Sequence, residues 1–205
     1  MNKLKIASLF AGCGGTDIGF LGGFSFLNNN YKKHPTELIF ANDNDPRVCD
    51  IFDDNFQLKV IRKDINKVQA KEIPDHDILT AGFPCQSFSI VAQNPLRLGV
   101  KDPKGELFFE VCKVLKDKQP LCFVAENVKG ILSVNNGLTF PLIMKSFRDC
   151  GYHLVHILLN AYHYGIPQRR ERVFIVGFKR PEYLDLFCPP PPVNKQKNLK
   201  ANPMK

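Results

Sequence analysis

The chain has 205 residues, 44% of them apolar and 23% charged, which is typical of one globular domain or of one domain with a tail. No apolar run approaches the roughly 18 residues that span a bilayer and no signal-peptide cleavage pattern follows the first lysines, so we predict a cytoplasmic protein without membrane segments. The formal net charge of +8 is compatible with a polyanionic partner, and the seven cysteines show no CxxC or Cys/His spacing, which argues against a disulfide framework and a metal site.

Short apolar runs alternate with helical patterns as far as Phe178. Asp45 and Pro46 are typical of the beginning of a helix, as N-cap and first helical residue. Gly151 is typical of the end of one. The predicted strands span 4–10, 37–43, 58–64, 76–82, 120–127, 152–161 and 172–178, and the predicted helices span 16–24, 46–56, 105–118 and 138–151.

This alternation predicts an α/β fold with a mainly parallel, seven-stranded sheet and helices on both faces. In such sheets, ligands bind beyond the carboxyl ends of the strands. Five residues suited to binding or chemistry each follow a predicted strand, namely Gly12, Asp43, Asp64, Cys85 and Glu126. We therefore expect these residues to lie at one edge of the sheet.

The alternation ends at Phe178, so we divide the chain into a domain of residues 1–178 and a tail of residues 179–205. The tail holds four consecutive prolines, and its six lysines and arginines outnumber its two acidic residues. This composition predicts a polyproline linker and a disordered basic tail, without a further helix or strand.

A glycine-rich turn, FAGCGG, follows the first predicted strand. Its glycines allow close approach of a ligand and the next helix offers free N–H groups, although a plain tight turn explains the same residues. Asp43 is placed to bind ribose hydroxyls and Asp64 to accept a hydrogen bond from an adenine amino group, while each is also compatible with a cap or turn. Together, without a phosphate-binding lysine, these features favour S-adenosylmethionine over ATP.

Cys85 lies in GFPCQSFS, directly after the fourth predicted strand and behind Pro84, which fixes the backbone before it. This corner suits an exposed nucleophilic thiolate, and a structural cysteine explains the stretch equally well on its own. Glu126 ends the neighbouring fifth strand. A carboxyl group beside a nucleophilic cysteine suits attack on a pyrimidine ring, whose nitrogen the acid would protonate or hydrogen-bond.

The arginines of QRRERVFIVGF precede the last predicted strand. Alternation places Arg170 and Arg172 on one face, where guanidinium groups can bind a phosphate or a base carbonyl, unless they form only a charged strand entrance. The five histidines have no partner cluster with metal-ligand spacing, so we interpret them as structural or surface groups.

Four stretches, SLFAGCGGTDIGF, GFPCQSFS, ENVKG and QRRERVFIVGF, resemble in order and spacing the motifs of the DNA cytosine-5 methyltransferases. The resemblance covers residues 4–178 and implies a Rossmann-like, S-adenosylmethionine-dependent methyltransferase fold. It implies that the target cytosine is flipped out of double-stranded DNA, that the Cys85 thiolate adds to C6, and that Glu126 holds the ring N3 and the exocyclic amine. The methyl group of S-adenosylmethionine is then transferred to C5.

The same resemblance assigns roles to further residues. Arg172 contacts the base, and Arg170 supports the catalytic loop. The implied cofactor-binding residues are Phe10, Gly12, Gly14, Gly15, Asp43, Asn44, Asp64, Ile65, Pro84 and Leu107, and the implied substrate-binding residues are Gln86, Ser89 and Asn127.

The sequence also departs from the family pattern. Ser8 stands where aspartate is common, and Asn44 stands where an aromatic residue often stacks on adenine. Family members continue into a target-recognition domain and a C-terminal helix that completes the cofactor pocket, and the 205 residues contain neither. We therefore predict the catalytic subunit of a split enzyme, or a truncated form, in a restriction–modification system, with a second subunit supplying target recognition. The alternatives are a tRNA cytosine-5 methyltransferase and an inactive fragment that retains the fold.

Overall fold

The apolar runs of the sequence form one central sheet in the computed structural model, which describes residues 2–26, 29–84, 106–193 and 202–203. A separate antiparallel ribbon pairs β2 (Ser25–Phe26) with β3 (Asn29–Asn30). The strands of the central sheet are β1 (Leu4–Leu9), β4 (Thr36–Asp43), β5 (Ile61–Arg62), β6 (Ile78–Ala81), β7 (Cys122–Val128), β8 (His153–Asn160), β9 (Glu171–Phe178) and β10 (Asn202–Pro203).

The sheet has the strand order β10-β8-β9-β7-β6-β1-β4-β5. Strands β5, β4, β1, β6 and β7 run parallel, whereas β9 is inserted antiparallel between β7 and β8. All seven predicted strands are present, and the two-residue β10 adds an eighth at the edge. The predicted mainly parallel α/β fold is therefore confirmed.

Five helices accompany the sheet in the described part of the chain: α1 (Gly15–Leu21), α2 (Pro46–Asn55), α3 (Glu106–Lys118), α4 (Thr139–Asp149) and α5 (Pro181–Leu186). The chain leaves β1 and β6 in opposite directions along the sheet, so right-handed crossovers place α1 and α2 on one face and α3 and α4 on the other. As predicted, Asp45 caps α2, because its carboxylate accepts a hydrogen bond from the Arg47 N–H at 3.0 Å.

The main core lies between the sheet and the helices α3 and α4. Helix α3 buries Phe108 and Leu115, and helix α4 buries Ile143 and Phe147, against one side of the central strands. A smaller cluster lies under α2, where Cys49, Phe52, Ala41 and Val60 pack together. These two clusters fix the strands, and with them the positions of the residues that follow each strand.

Two predictions about local structure were wrong. The third strand was predicted over 58–64 but spans only Ile61–Arg62, because Leu58 and Val60 are apolar for their packing against the cluster under α2. The tail was predicted to contain no further element, yet α5 begins at Pro181 and β10 pairs with β8. The helix-start signal is Pro181 at the first helical position, followed by the acidic Glu182. The proline-rich composition of the tail obscured this signal.

Gly177 offers a test of how tightly β7 and β9 pack. It pairs with Phe123 across the two strands, and a Cβ at Gly177 would lie 2.7 Å from Cδ1 of that ring. The ring cannot move away easily, since it is buried against Phe147 and Tyr152. We expect Gly177→Ala to lower the free energy of unfolding by about 1–3 kcal/mol, measured by chemical denaturation.

Gly19 provides the matched control for this substitution. A Cβ at Gly19 meets nothing within 4 Å, and the residue lies inside helix α1. Gly19→Ala is therefore expected to leave the stability unchanged or to raise it by up to about 1 kcal/mol. Equal effects of the two substitutions would contradict the packing described for Gly177.

Candidate functional site

The residues that follow the parallel strands lie at one edge of the sheet. Strand β1 is flanked by β4 and β6, from which the chain proceeds in opposite directions, so the strand order reverses at this point. A crevice at such a reversal is the usual ligand site of an open α/β sheet. The structure places here, in order along the edge, Asp64 after β5, Asp43 at the end of β4, Phe10 and Gly12 after β1, Gly82 and Pro84 after β6, and Glu126 near the end of β7.

Asp43 holds the glycine-rich loop in place. Its Oδ2 accepts a hydrogen bond from the Gly12 N–H at 2.8 Å, and its Oδ1 accepts one from the Asp45 N–H at 3.0 Å. Gly12 and Gly14 have φ values of 56° and 84°, a backbone region that glycine enters without strain. A Cβ at Gly12 or Gly15 would meet nothing within 4 Å, so the loop is open to a ligand. Each carboxylate oxygen of Asp43 retains acceptor capacity for a ribose hydroxyl.

The other predicted cofactor residues differ in how far their side chains are exposed to solvent. Asp64 caps a short 3₁₀ turn through the Asn66 N–H at 3.0 Å, and its side chain is half-buried. The Ile65 side chain is buried in the main core, against which Leu107 also packs with partial exposure. Asn44 is exposed, as is Pro84.

Glu126 and Arg172 form an ion pair at the carboxyl end of β7. Arg172 Nε lies 2.7 Å from Glu126 Oε1, and the two side chains are 22% and 28% exposed, respectively. Arg172 Nη1 also donates to the Glu171 carbonyl at 2.8 Å. The antiparallel insertion of β9 explains this meeting, because it brings the first residues of β9 beside the last residues of β7. The guanidinium group therefore fixes one oxygen of the carboxylate.

Gly82 connects the glutamate to the glycine loop. A Cβ at Gly82 would lie 3.5 Å from the Phe10 carbonyl oxygen and 3.8 Å from Glu126 Oε2. The second carboxylate oxygen of Glu126 is thus on the Gly82 side, where the chain leaves β6 towards Cys85. Phe10 itself has a φ of 54°, which is uncommon for a residue with a side chain and is typical of functional sites.

Asn127 ties β7 to the segment that leads to Cys85. Its side chain is 4% exposed. Its Nδ2 donates to the Phe83 carbonyl at 2.8 Å, and its Oδ1 accepts from the Val128 N–H at 2.9 Å. Nδ2 keeps a second N–H and Oδ1 a second lone pair, so the substrate contact predicted for this side chain stays a prediction. The tethering role was not predicted, because a neighbouring strand is not visible in the local sequence.

A cavity of about 630 Å³ extends from this edge along one face of the sheet, between α1 and the strands β7 to β9. Arg170 and Arg172 both line it, in agreement with the alternation predicted for them. The apolar side chains that line the cavity are Val124, Leu159, Ile166 and Phe174. Gly15 and Gly19 of α1 line the opposite side.

The sheet is less covered on this face than at its centre. All four residues of β6 are buried, whereas on β7 the burial alternates. The buried face of β7 carries Phe123, Ala125 and Asn127, and the half-exposed face carries Cys122, Val124 and Glu126. This half-exposed face of β7 and β9 beside α1 is largely apolar around the cavity, and α5 packs at its far end, where Phe178 contacts Tyr183 and Phe187.

Three predicted site residues, Cys85, Gln86 and Ser89, lie outside the described residues. Within the part of the chain that the structure describes, no cluster of three or more His, Cys, Asp or Glu side chains could hold a metal ion. The same part of the chain has no helix of the length and apolarity required to cross a membrane.

Comparison with known proteins relates the chain to DNA methylases. The family model described as C-5 cytosine-specific DNA methylase matches residues 4–204. The Type II methyltransferase M.FnuDI of Fusobacterium nucleatum is 40% identical over 193 residues, which are 94% of this chain and 52% of that protein. The Type II methyltransferase M.Bsp6I of Bacillus sp. (strain RFL6) is 40% identical over 92% of this chain and 56% of its own length. The chain thus spans about half the length of these curated relatives.

Solved structures share the fold at lower identity. A DNA modification methyltransferase encoded within an Escherichia coli prophage superposes with a TM-score of 0.68 at 23% identity, over 89% of this chain and 48% of that one. The Dnmt2 methyltransferase of S. pombe superposes with a TM-score of 0.65 at 24% identity, over 86% of this chain and 51% of that one. These likenesses show the methyltransferase fold.

Proposed function

Because the chain belongs to the C-5 cytosine-specific DNA methylase family, we propose that its 205 residues form the catalytic and cofactor-binding part of a DNA (cytosine-5-)-methyltransferase. The substrate is cytosine in double-stranded DNA, and the names of the relatives support a place in a restriction–modification system. One observation carries the proposal: Arg172 holds Oε1 of Glu126, while Oε2 remains on the Gly82 side, next to the segment that leads to Cys85.

In the proposed reaction, Cys85 is the nucleophile and Glu126 is the group that activates the ring. The Cys85 thiolate forms a bond to C6 of the flipped cytosine, and electron density moves to N3 and C5. Glu126 transfers a proton to the ring N3, accepts a hydrogen bond from the exocyclic amine and so stabilises that density, and it takes the N3 proton back when the thiolate leaves. After methyl transfer a base removes the C5 proton, the C6–S bond breaks and the thiolate is restored.

Arg172 and Asn127 position this machinery. Arg172 holds the Glu126 carboxylate at one oxygen and keeps it at the end of β7. Asn127 connects the same strand end to the Phe83 carbonyl, two residues before Cys85. The two interactions define the separation between the carboxylate and the segment that carries the nucleophile. Arg170 lines the same cavity as Arg172, and its proposed role is to support the catalytic loop or to contact DNA.

The residues at the ends of β1, β4 and β5 fit S-adenosylmethionine. The open backbone at Gly12 would admit the methionine portion, Asp43 would bind the ribose hydroxyls, and Asp64 would accept from the adenine amino group. When bound, this cofactor supplies a methyl group activated by its sulfonium charge. Phe10 and Gly82 lie between this site and Glu126.

We further propose that target recognition requires protein beyond these 205 residues, supplied as a second subunit. The chain corresponds to about half of its curated relatives. In addition, the half-exposed face of β7 and β9 beside α1 carries the cavity of about 630 Å³ with largely apolar walls. The second subunit would contact this cavity and deliver DNA to the site.

Methyl transfer to defined nucleic acids tests the proposal. Labelled S-adenosylmethionine is incubated with duplex DNA or with tRNA, using the chain alone and the chain co-expressed with the polypeptide encoded downstream. We expect label at C5 of cytosine in duplex DNA, and sequence-specific labelling only in the co-expressed sample. Labelling of tRNA instead would establish the alternative substrate. Labelling at a defined DNA sequence by the chain alone would refute the second subunit.

A further inference from the structure

Asp17 is a buried carboxyl group directly beneath the glycine loop. It lies in the first turn of α1 and is 0% exposed. Thr80 of β6 donates to its Oδ1 at 3.5 Å, and the hydroxyl of Ser8 on β1 hydrogen-bonds to the same carboxyl group. Asp17 therefore connects β1 and β6, the two strands at which the strand order reverses. Its Oδ2 is buried and has no hydrogen-bond partner among the described residues.

The ionised form of this side chain destabilises the folded state. Burial raises the pKa of Asp17 to about 6, and its hydrogen bonds with Ser8 and Thr80 offset this only in part. The groups that face it from β1 and β6 are these two neutral hydroxyls, and no charged side chain contributes to the shift. The unfolded chain therefore ionises first, so stability falls as the pH rises from about 4 to about 6 and the loss is complete above that range.

An amide would form the same hydrogen bonds without this loss, so the negative charge itself needs an explanation. Ser8 and Thr80 each lie one residue before the end of their strands. At roughly 3.3 Å per residue, the carboxyl group is one short step below the edge at which the cofactor is proposed to bind. A charge in such a dry environment acts over a longer range than one in water.

Resting on the proposed function, we propose that Asp17 is a positioning residue for the cofactor: its buried carboxylate provides the negative charge that attracts the sulfonium of S-adenosylmethionine to the glycine loop. After methyl transfer the product, S-adenosylhomocysteine, is a neutral thioether at the same atom. The attraction is then lost. Asp17 would thus favour binding of the methyl donor over retention of the product.

The test compares the dissociation constants of the two ligands for the wild type and for Asp17→Asn, by calorimetry at pH 8. We expect Asp17→Asn to weaken S-adenosylmethionine binding about tenfold, which corresponds to one pKa unit of coupling, and to leave S-adenosylhomocysteine binding unchanged. Glu37→Gln, which removes an exposed charge near the opposite end of β4, should change neither. The variant without ligand should also melt at a higher temperature than the wild type.

Four outcomes would overturn the proposal in distinguishable ways. If Asp17→Asn weakens the binding of both ligands equally, Asp17 has only a structural role. If it changes the binding of neither ligand, Asp17 has no role in cofactor binding. If wild type binds neither ligand, the cofactor assignment fails first and this inference with it. If the variant does not fold, the wild type is measured instead: its preference for S-adenosylmethionine over S-adenosylhomocysteine should fall about fivefold from pH 8 to pH 5, and a constant ratio contradicts the proposal.

Discussion

Glu126→Gln is expected to reduce the rate of methyl transfer to duplex DNA by about 10²- to 10⁴-fold, the usual range for loss of an acid–base group. The amide keeps the size of the side chain but cannot deliver a proton to N3, and it gives up the ion pair with Arg172 at 2.7 Å. Glu126 pairs with Arg172 and lies across Gly82 from Phe10, outside the proposed cofactor contacts, so S-adenosylmethionine binding should change less than about threefold. The measurement is single-turnover methyl transfer alongside calorimetric binding of the cofactor.

Glu171→Gln is the matched control. Glu171 begins β9 at the same edge of the sheet, and its carboxylate forms an ion pair with Lys129 at 2.9 Å, but both partners are exposed to solvent. Surface pairs of this kind contribute about 0–1 kcal/mol, so the control should retain nearly full activity. If both variants lost activity equally, the effect would be a general change of charge at this edge, and Glu126 would lose its assigned role.

The fold could be predicted because its determinants are local in the sequence. Apolar runs such as those of β6 and β7 identify the strands, and the helical patterns between them require parallel connections. Once the strands are parallel, the residue after each one must lie at the same edge. This is why Asp43 and Glu126 could be predicted to lie at one edge of the sheet.

The contacts within the site could not be predicted in the same way. The pairing of Glu126 with Arg172 depends on the antiparallel insertion of β9 between β7 and β8, and no local pattern specifies that strand order. Asn127 and Asp17 were assigned to the substrate or left unassigned because their partners, Phe83 and Thr80, come from other strands. An acidic residue among the apolar residues of α1 was the available signal for Asp17, since such a residue is rarely buried unless it is paired.

Cys85→Ser is expected to abolish methyl transfer, with a loss of at least about 10³-fold, because a serine hydroxyl does not supply the thiolate that adds to C6. Cofactor binding should be retained, since the proposed cofactor contacts lie at β1, β4 and β5. The structure describes the chain up to Pro84, where Asn127 holds the Phe83 carbonyl in place. Asn127 therefore fixes the Phe83 carbonyl, two residues before Cys85 in the sequence, beside the end of β7 that carries Glu126.

Covalent trapping separates this role from a structural one. Duplex DNA containing 5-fluorocytosine cannot lose a proton from C5, so the Cys85 adduct should persist in the presence of S-adenosylmethionine and appear as a slower band on a denaturing gel. The adduct should form with the wild type and with Cys188→Ser, which removes an exposed cysteine of the tail, and should be missing in Cys85→Ser. The reaction is run with the co-expressed downstream polypeptide. An adduct that survives Cys85→Ser would assign the nucleophile to another cysteine, and no adduct with the wild type would favour an inactive fragment that retains only the fold.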